Sequence, residues 1–174
     1  MNAALSLPVL GFSANSGTGK TTLISLLLPL LKERGLQVGL IKHSHHNFET
    51  DQPGKDSYRL RKAGASPVLL VSKYRRAIIT ELPGDEPRLE DQLACFPADS
   101  LDLMIVEGFK HESFPKIELH RAELKAPLLF RQDPSIIAIA SDTPLSTSLP
   151  CLDLNKPEEV ADFIYNEFLS KENG

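Results

Sequence analysis

The residues with the clearest chemistry are Ala14-Asn15-Ser16-Gly17-Thr18-Gly19-Lys20-Thr21, followed by Thr22. They match the phosphate-binding pattern G-x-x-x-x-G-K-[ST], with Ala14 in place of the first glycine. The chemistry needs these residue types. Gly17 and Gly19 allow backbone conformations closed to other residues, so successive N–H groups can turn toward phosphate oxygens. A helix starting near Gly19 adds its positive end. Lys20 is expected to reach the β- and γ-phosphates, and the Thr21 hydroxyl to ligate Mg²⁺. A methyl group at Ala14 is tolerable wherever φ is negative. Asn15, Ser16, Gly17, Thr18, Gly19, Lys20, Thr21 and Thr22 are therefore expected to cradle a nucleoside triphosphate.

Such a loop calls for a carboxylate at the end of a neighbouring buried strand, acting on Mg²⁺ or its waters. Asp102 and Glu107 flank one apolar run and lie roughly 16 Å apart at about 3.3 Å per residue. Ligands of open α/β sheets sit outside the carboxyl ends of the strands. This favours Glu107 as the metal-facing and catalytic carboxylate, with Gly108 beside it allowing close backbone approach. Asp56 could hold Mg²⁺ or position water, or it could cap its own helix. Asp142 could accept hydrogen bonds from guanine N1–H and the 2-amino group, donors that adenine lacks; equally, it could open the Thr143-Pro144 turn. The His43, His45 and His46 cluster follows Lys42. Its spacing fits no familiar zinc site, and facing a substrate anion or forming an exposed polar loop are alternatives. Arg121 and Arg131 could act as arginine fingers from a partner subunit, or be solvated loop charges.

The elements that must position these groups follow from hydrophobic patterning. Leu7–Ser13 reads as a strand buried on both faces, and Thr21–Arg34 as a largely buried helix that Pro29 should kink or shorten. Gly35 closes it. Gln37–Lys42 is a second strand, and Asp56–Ala63 a short helix ending at Gly64. Pro67–Ser72 and Ala77–Leu82 read as strands, and Arg88–Phe96 as a helix. Leu101–Val106 is a buried strand, Lys116–His120 an outer strand by its alternation, Ile136–Ala140 another buried strand and Cys151–Leu154 a last short one. Asn155 as N-cap, Pro157 in the first turn and Glu158 predict a closing helix. Strands alternating with helices give an α/β fold, a mostly parallel sheet with helices on both faces in three layers.

The 174 residues carry nineteen Lys/Arg and twenty-three Asp/Glu, a net charge of −4. That length and the absence of a linker predict one domain over residues 1–174. A hydrophobic fraction of 41% with 24% charged residues is globular and excludes a disordered or collagen-like chain. Net acidity gives no bulk attraction to nucleic acid. The apolar run Leu23–Leu31, broken by Ser25 and Pro29, is too short for a bilayer span. Met1–Pro8 has no basic segment or cleavage site of an export signal. Cys95 and Cys151, 56 positions apart, predict reduced and buried thiols in a cytoplasmic protein.

Taken together, the P-loop, Lys42–His46 (KHSHH), Asp51–Ala65 (DQPGKDSYRLRKAGA), Val106–His111 (VEGFKH) and Ala138–Asp142 (AIASD) resemble the molybdopterin-guanine dinucleotide biosynthesis protein B family. The resemblance implies a P-loop NTPase fold and a homodimeric, weakly hydrolytic GTP-binding protein that uses Mg²⁺ and assists attachment of GMP to molybdopterin. It implies the guanylyltransferase and the molybdenum-insertion enzymes as partners. Gly17, Gly19, Lys20 and Thr21 then bind the nucleotide, and Glu107 takes the acidic strand-end position. Two other readings stay open on the residues alone. One is a small-molecule kinase with Arg121–Arg131 as a basic lid; the other is a nucleotide-dependent adapter with no required hydrolysis.

Overall fold

A computed structural model describes residues 7–44, 47–97 and 100–172. The chain forms two compact units, Met1–His43 with Arg88–Gly174, and Ser44–Pro87.

In the larger unit six strands form one sheet: β1 (Val9–Ala14), β2 (Val38–Lys42), β5 (Leu103–Glu107), β6 (Lys116–His120), β7 (Ile136–Ser141) and β8 (Cys151–Asp153). Their order is β2-β5-β1-β6-β7-β8, and every neighbouring pair is parallel. The sheet has the expected apolar strands because both faces are covered. On β5, Leu103 and Ile105 enter one core with α1 (Lys20–Glu33) and α4 (Pro157–Phe163), while Met104 and Val106 enter a second core with α3 (Leu89–Leu93). Beyond α4 the chain continues through a π-helical segment, Ile164–Phe168, into α5 (Leu169–Glu172). Helices thus lie on both faces of the sheet, as the alternation of elements predicts.

Pro29 does not end α1, which runs on to Glu33. Its buried stripe of Leu23, Ile24, Leu27 and Leu31 anchors the helix across the proline, so packing outweighs the lost backbone donor. At the far end the Gly35 N–H donates to the Lys32 carbonyl at 2.9 Å, and the Leu36 N–H to Leu31 at 3.2 Å, closing the helix as expected. The last helix starts one residue later than predicted. Lys156 rather than Asn155 is its N-cap, and the Glu159 carboxylate, not that of Glu158, reaches back to the Asp153 N–H at 3.0 Å.

β6 is not an outer strand: it lies between β1 and β7. Its alternating Lys116 and Glu118 suggested a wet face, yet they are only 3% and 0% exposed. Glu118 accepts hydrogen bonds from the backbone N–H groups of Leu129 and Phe130 at 2.7 and 2.8 Å. Lys116 donates to the Glu112 carbonyl at 2.7 Å and to Asp133 at 2.9 Å. Burial pushes the Asp133 carboxyl up, but hydrogen bonds from Lys116 and Ser135 outweigh it and hold the group below its ordinary value. Cys95 and Cys151 are free but exposed, contrary to the expected burial: Cys95 lies in the turn after α3 and Cys151 on the edge strand β8.

The smaller unit holds α2 (Asp56–Lys62) and the antiparallel hairpin β3 (Val68–Val71) and β4 (Arg76–Ile79). Its centre is Arg61, 7% exposed, which donates to Asp51 at 2.7 Å, to Glu81 at 2.5 Å and also to Glu49. The carboxylates hold the guanidinium charged, and Arg61 in turn keeps Asp51 below the usual carboxylate range.

Candidate functional site

β1 ends at the turn of the strand order, with β5 on one side and β6 on the other, where an open α/β sheet forms its ligand crevice. The loop leaving β1 takes the conformation its glycines permit. Gly17 has φ 82° and Gly19 φ 95°, a region that L side chains rarely enter. Ala14 stays outside that region, so its methyl group is accommodated as expected. Within the loop, the Thr18 hydroxyl donates to the Asn15 carbonyl at 2.7 Å. Gly19 is the N-cap of the fourteen-residue α1, whose first turn carries no acidic residue, and Lys20 is its first residue. The helix therefore presents its positive end without a competing carboxylate of its own.

The resulting cavity, about 480 Å³, is lined by Ala14 through Thr22 together with Glu107 and Lys110. Glu107 ends β5 here, and its carboxylate lies 3.7 Å from the Lys20 Nζ and 3.4 Å from the Lys42 Nζ. Asp102 is at the opposite end of the strand and accepts the Gln37 N–H at 2.7 Å, which is a structural use. The donors fit a magnesium nucleotide: turned backbone amides, an ammonium, a threonine hydroxyl and one carboxylate converge on a single volume.

Gly108 and Phe109 shape the wall beside Glu107. Gly108 has φ 107°, and a Cβ there would stand 2.6 Å from the His43 Cβ. Phe109 has φ 51° and stacks on the His43 ring with centroids 4.6 Å apart. The His43 N–H also donates to the Glu107 carbonyl at 2.8 Å. His43 thus packs against the Glu107 backbone, while His45 and His46 lie outside the described residues. Among the described residues no group of three or more His, Cys, Asp or Glu side chains could hold a metal ion.

Arg121, just after β6, is built into the P-loop of its own chain. Its Nε donates to the Thr18 carbonyl at 2.9 Å, and the guanidinium also approaches Asn155 at 3.5 Å and Asp142 at 3.8 Å. Asp142 accepts the Ala122 N–H at 3.0 Å through its other oxygen. Asp142 therefore follows β7 on the far side of the P-loop from Glu107, partly engaged by the 121–122 turn. Arg131 is exposed, 5.9 Å over the Phe130 ring. Asp56 opens α2 in the smaller unit, with its side chain 94% exposed and 3.9 Å from Arg59. It makes no side-chain cap, since Lys55 is the N-cap.

Sequence reasoning did not pair Lys42 with Glu107, did not single out Lys110 in the cavity wall, and considered Arg121 as a finger or lid rather than as a brace of the P-loop in cis. The available signal for Lys42 was its place at the carboxyl end of a parallel strand. Arg121 had none, because its partner Thr18 is 103 positions away.

The comparisons with known proteins agree on one family. The family model described as molybdopterin guanine dinucleotide synthesis protein B matches residues 9–142. The chain is 48% identical over 171 residues to a protein of Escherichia coli (strain K12) named molybdopterin-guanine dinucleotide biosynthesis adapter protein, covering 97% of each. A protein of the same name from Haemophilus influenzae is 46% identical over 161 residues, covering 92% of this chain and 89% of the relative. A crystal structure of molybdopterin-guanine biosynthesis protein B superposes with a TM-score of 0.70 at 28% identity, covering 90% of this chain and 97% of that one. Bacillus subtilis MobB does so with 0.70 at 25% identity, covering 93% and 98%. The chain belongs to the molybdopterin-guanine dinucleotide synthesis protein B family.

Proposed function

We propose that this protein is a GTP-binding adapter in molybdopterin-guanine dinucleotide biosynthesis, acting in the cytoplasm with slow hydrolysis of the bound nucleotide. The observation that carries the reading is the convergence of the Gly17–Thr21 loop, the α1 N-terminus and Glu107 on one cavity. Residues 15–22 hold the phosphates, Thr21 and Glu107 face Mg²⁺, and Asp142 at the end of β7 reads the base. Bound Mg²⁺ neutralises charge on the phosphate oxygens. Slow hydrolysis is consistent with a cavity wall whose only carboxylate, among the described residues, already faces two lysines, and in which no arginine appears. Arg121 is engaged with the P-loop backbone at Thr18. The adapter role rests on the names of the relatives; in this reading the guanylyltransferase and the molybdenum-insertion enzymes are the partners, as the family resemblance implies.

Homodimer formation belongs to the same reading. The β3–β4 hairpin exposes Leu69 at 56%, Val71 at 71% and Ile78 at 64%, and a two-stranded ribbon with uncovered apolar side chains is marginal alone. Sedimentation of the wild type and of Ile78→Glu checks this, with a monomeric wild type overturning it.

The deciding experiment compares Mg²⁺-dependent binding of GTP and ATP, with Lys20→Ala as the control. GTP preferred by tenfold, about 1.4 kcal/mol, supports the reading. ATP bound as well or better removes the guanine assignment and brings a kinase to the front.

A further inference from the structure

The carboxyl edge of the sheet sets the site's groups in a line. Along the strand order they run Lys42 on β2, Glu107 on β5, the P-loop after β1, Arg121 after β6 and Asp142 after β7. With neighbouring strands about 4.8 Å apart, Lys42 lies one strand beyond Glu107 on the side away from Asp142. Lys42 and Glu107 are direct register partners, so their side chains leave the same face of the sheet. That face is the one on which α1 packs and to which Lys20 belongs.

We propose that Lys42 contacts the terminal phosphate and lets the site distinguish nucleoside triphosphate from diphosphate. This rests on the P-loop nucleotide reading above. With the base toward β7 and the phosphates on the loop, the phosphate chain ends toward β5 and β2. Glu107 stands between two ammonium groups, Lys20 at 3.7 Å and Lys42 at 3.4 Å. Lys20 belongs to the loop and reaches the β-phosphate that both nucleotides carry as well as the γ-phosphate, so its removal weakens both. Lys42 is 56% exposed and is held at this edge by Glu107 alone among the ion pairs of the described residues, so an added phosphate charge can compete with that carboxylate for it. Lys20 and Lys110 in the cavity wall, with Lys42 behind Glu107, leave an excess of positive charge at this edge, which suits the more highly charged triphosphate.

The test measures dissociation constants for a non-hydrolysable GTP analogue and for GDP, both with Mg²⁺, in the wild type, Lys42→Ala, Lys42→Arg and Lys20→Ala. Lys42→Ala is expected to weaken the triphosphate analogue about tenfold while GDP changes less than about twofold. Lys42→Arg should retain most of the preference, and Lys20→Ala should weaken both ligands. A merely structural Glu107–Lys42 pair would shift both ligands equally in Lys42→Ala, and that result, or no shift at all, overturns the proposal. If the wild type binds neither ligand, or Lys20→Ala binds both normally, the P-loop reading itself falls and this proposal with it.

Discussion

Replacing Glu107 with Gln should change nucleotide affinity in opposite directions with and without Mg²⁺. Without the cation, Glu107 repels phosphate and occupies both neighbouring lysines, at 3.7 and 3.4 Å. A unit-charge pair at such distances is worth about 4–5 kcal/mol at an effective dielectric of 20, whereas solvent-exposed pairs measure about 1 kcal/mol or less. Lys20 and Glu107 side chains are 20% and 14% exposed, so their pair lies between these limits, while Lys42, at 56%, is strongly screened. Taking about 1.4 kcal/mol for the released interaction, Glu107→Gln should bind GTP about tenfold more tightly in EDTA. With saturating Mg²⁺ the same variant should bind less tightly than wild type, because a neutral amide is a poorer partner for a hard cation or its waters. Isothermal titration under the two conditions reads both numbers. Weaker binding in EDTA, or the same direction of change in both conditions, would refute the reasoning that this carboxylate is the switchable anion of the site.

Other consequences are equally direct. Glu118→Gln puts an amide donor where a buried carboxylate accepts two backbone N–H groups, and should cost about 2 kcal/mol, read as a fall in melting temperature of about 4–8 °C. Arg121→Ala removes the charged donor to the Thr18 carbonyl and should weaken GTP and GDP alike by about tenfold, since it acts on the loop and not on one phosphate; a selective loss of GTP would contradict that role. In the smaller unit, hydrogen bonds and charge from Arg61 hold Asp51 below its ordinary value, and Lys62 and Arg61 do the same for Glu49. The unfolded chain therefore binds protons first, so this contribution is complete above the ordinary carboxylate range of about 4 and is lost as pH falls through the lower folded values. Amide protection factors over residues 47–87, referred to the intrinsic exchange rate at each pH, should fall in that acidic window, and protection that stays constant would show that the Arg61 cluster does not hold the unit together.

Features governed by local conformation were legible in the residues. The Gly17–Thr21 pattern announces its own backbone, because only glycine enters the left-handed region at Gly17 and Gly19 at little cost. The end of a buried strand next to it selects Glu107 over Asp102 by strand polarity alone. The α1 stop at Gly35 and the parallel α/β alternation follow in the same way, from caps and from periodicity.

What escaped were pairings between distant positions. β6 was misread because Lys116 and Glu118 look solvent-facing in a strand of alternating character. Their partners, Asp133 and the Leu129 and Phe130 amides, are brought to them only when the chain returns to form β7. The exposure of Cys95 and Cys151 likewise depends on how the turn after α3 and the edge strand β8 meet the core. Arg121 reaches Thr18 across 103 residues, and Lys42 meets Glu107 because β2 and β5 are neighbours in the sheet. The glycine-rich loop was readable from its residues alone, since its conformation is dictated by the residues within it. Which charges surround that loop emerges with the fold, because a buried or shared charge is set by partners assembled from separate strands.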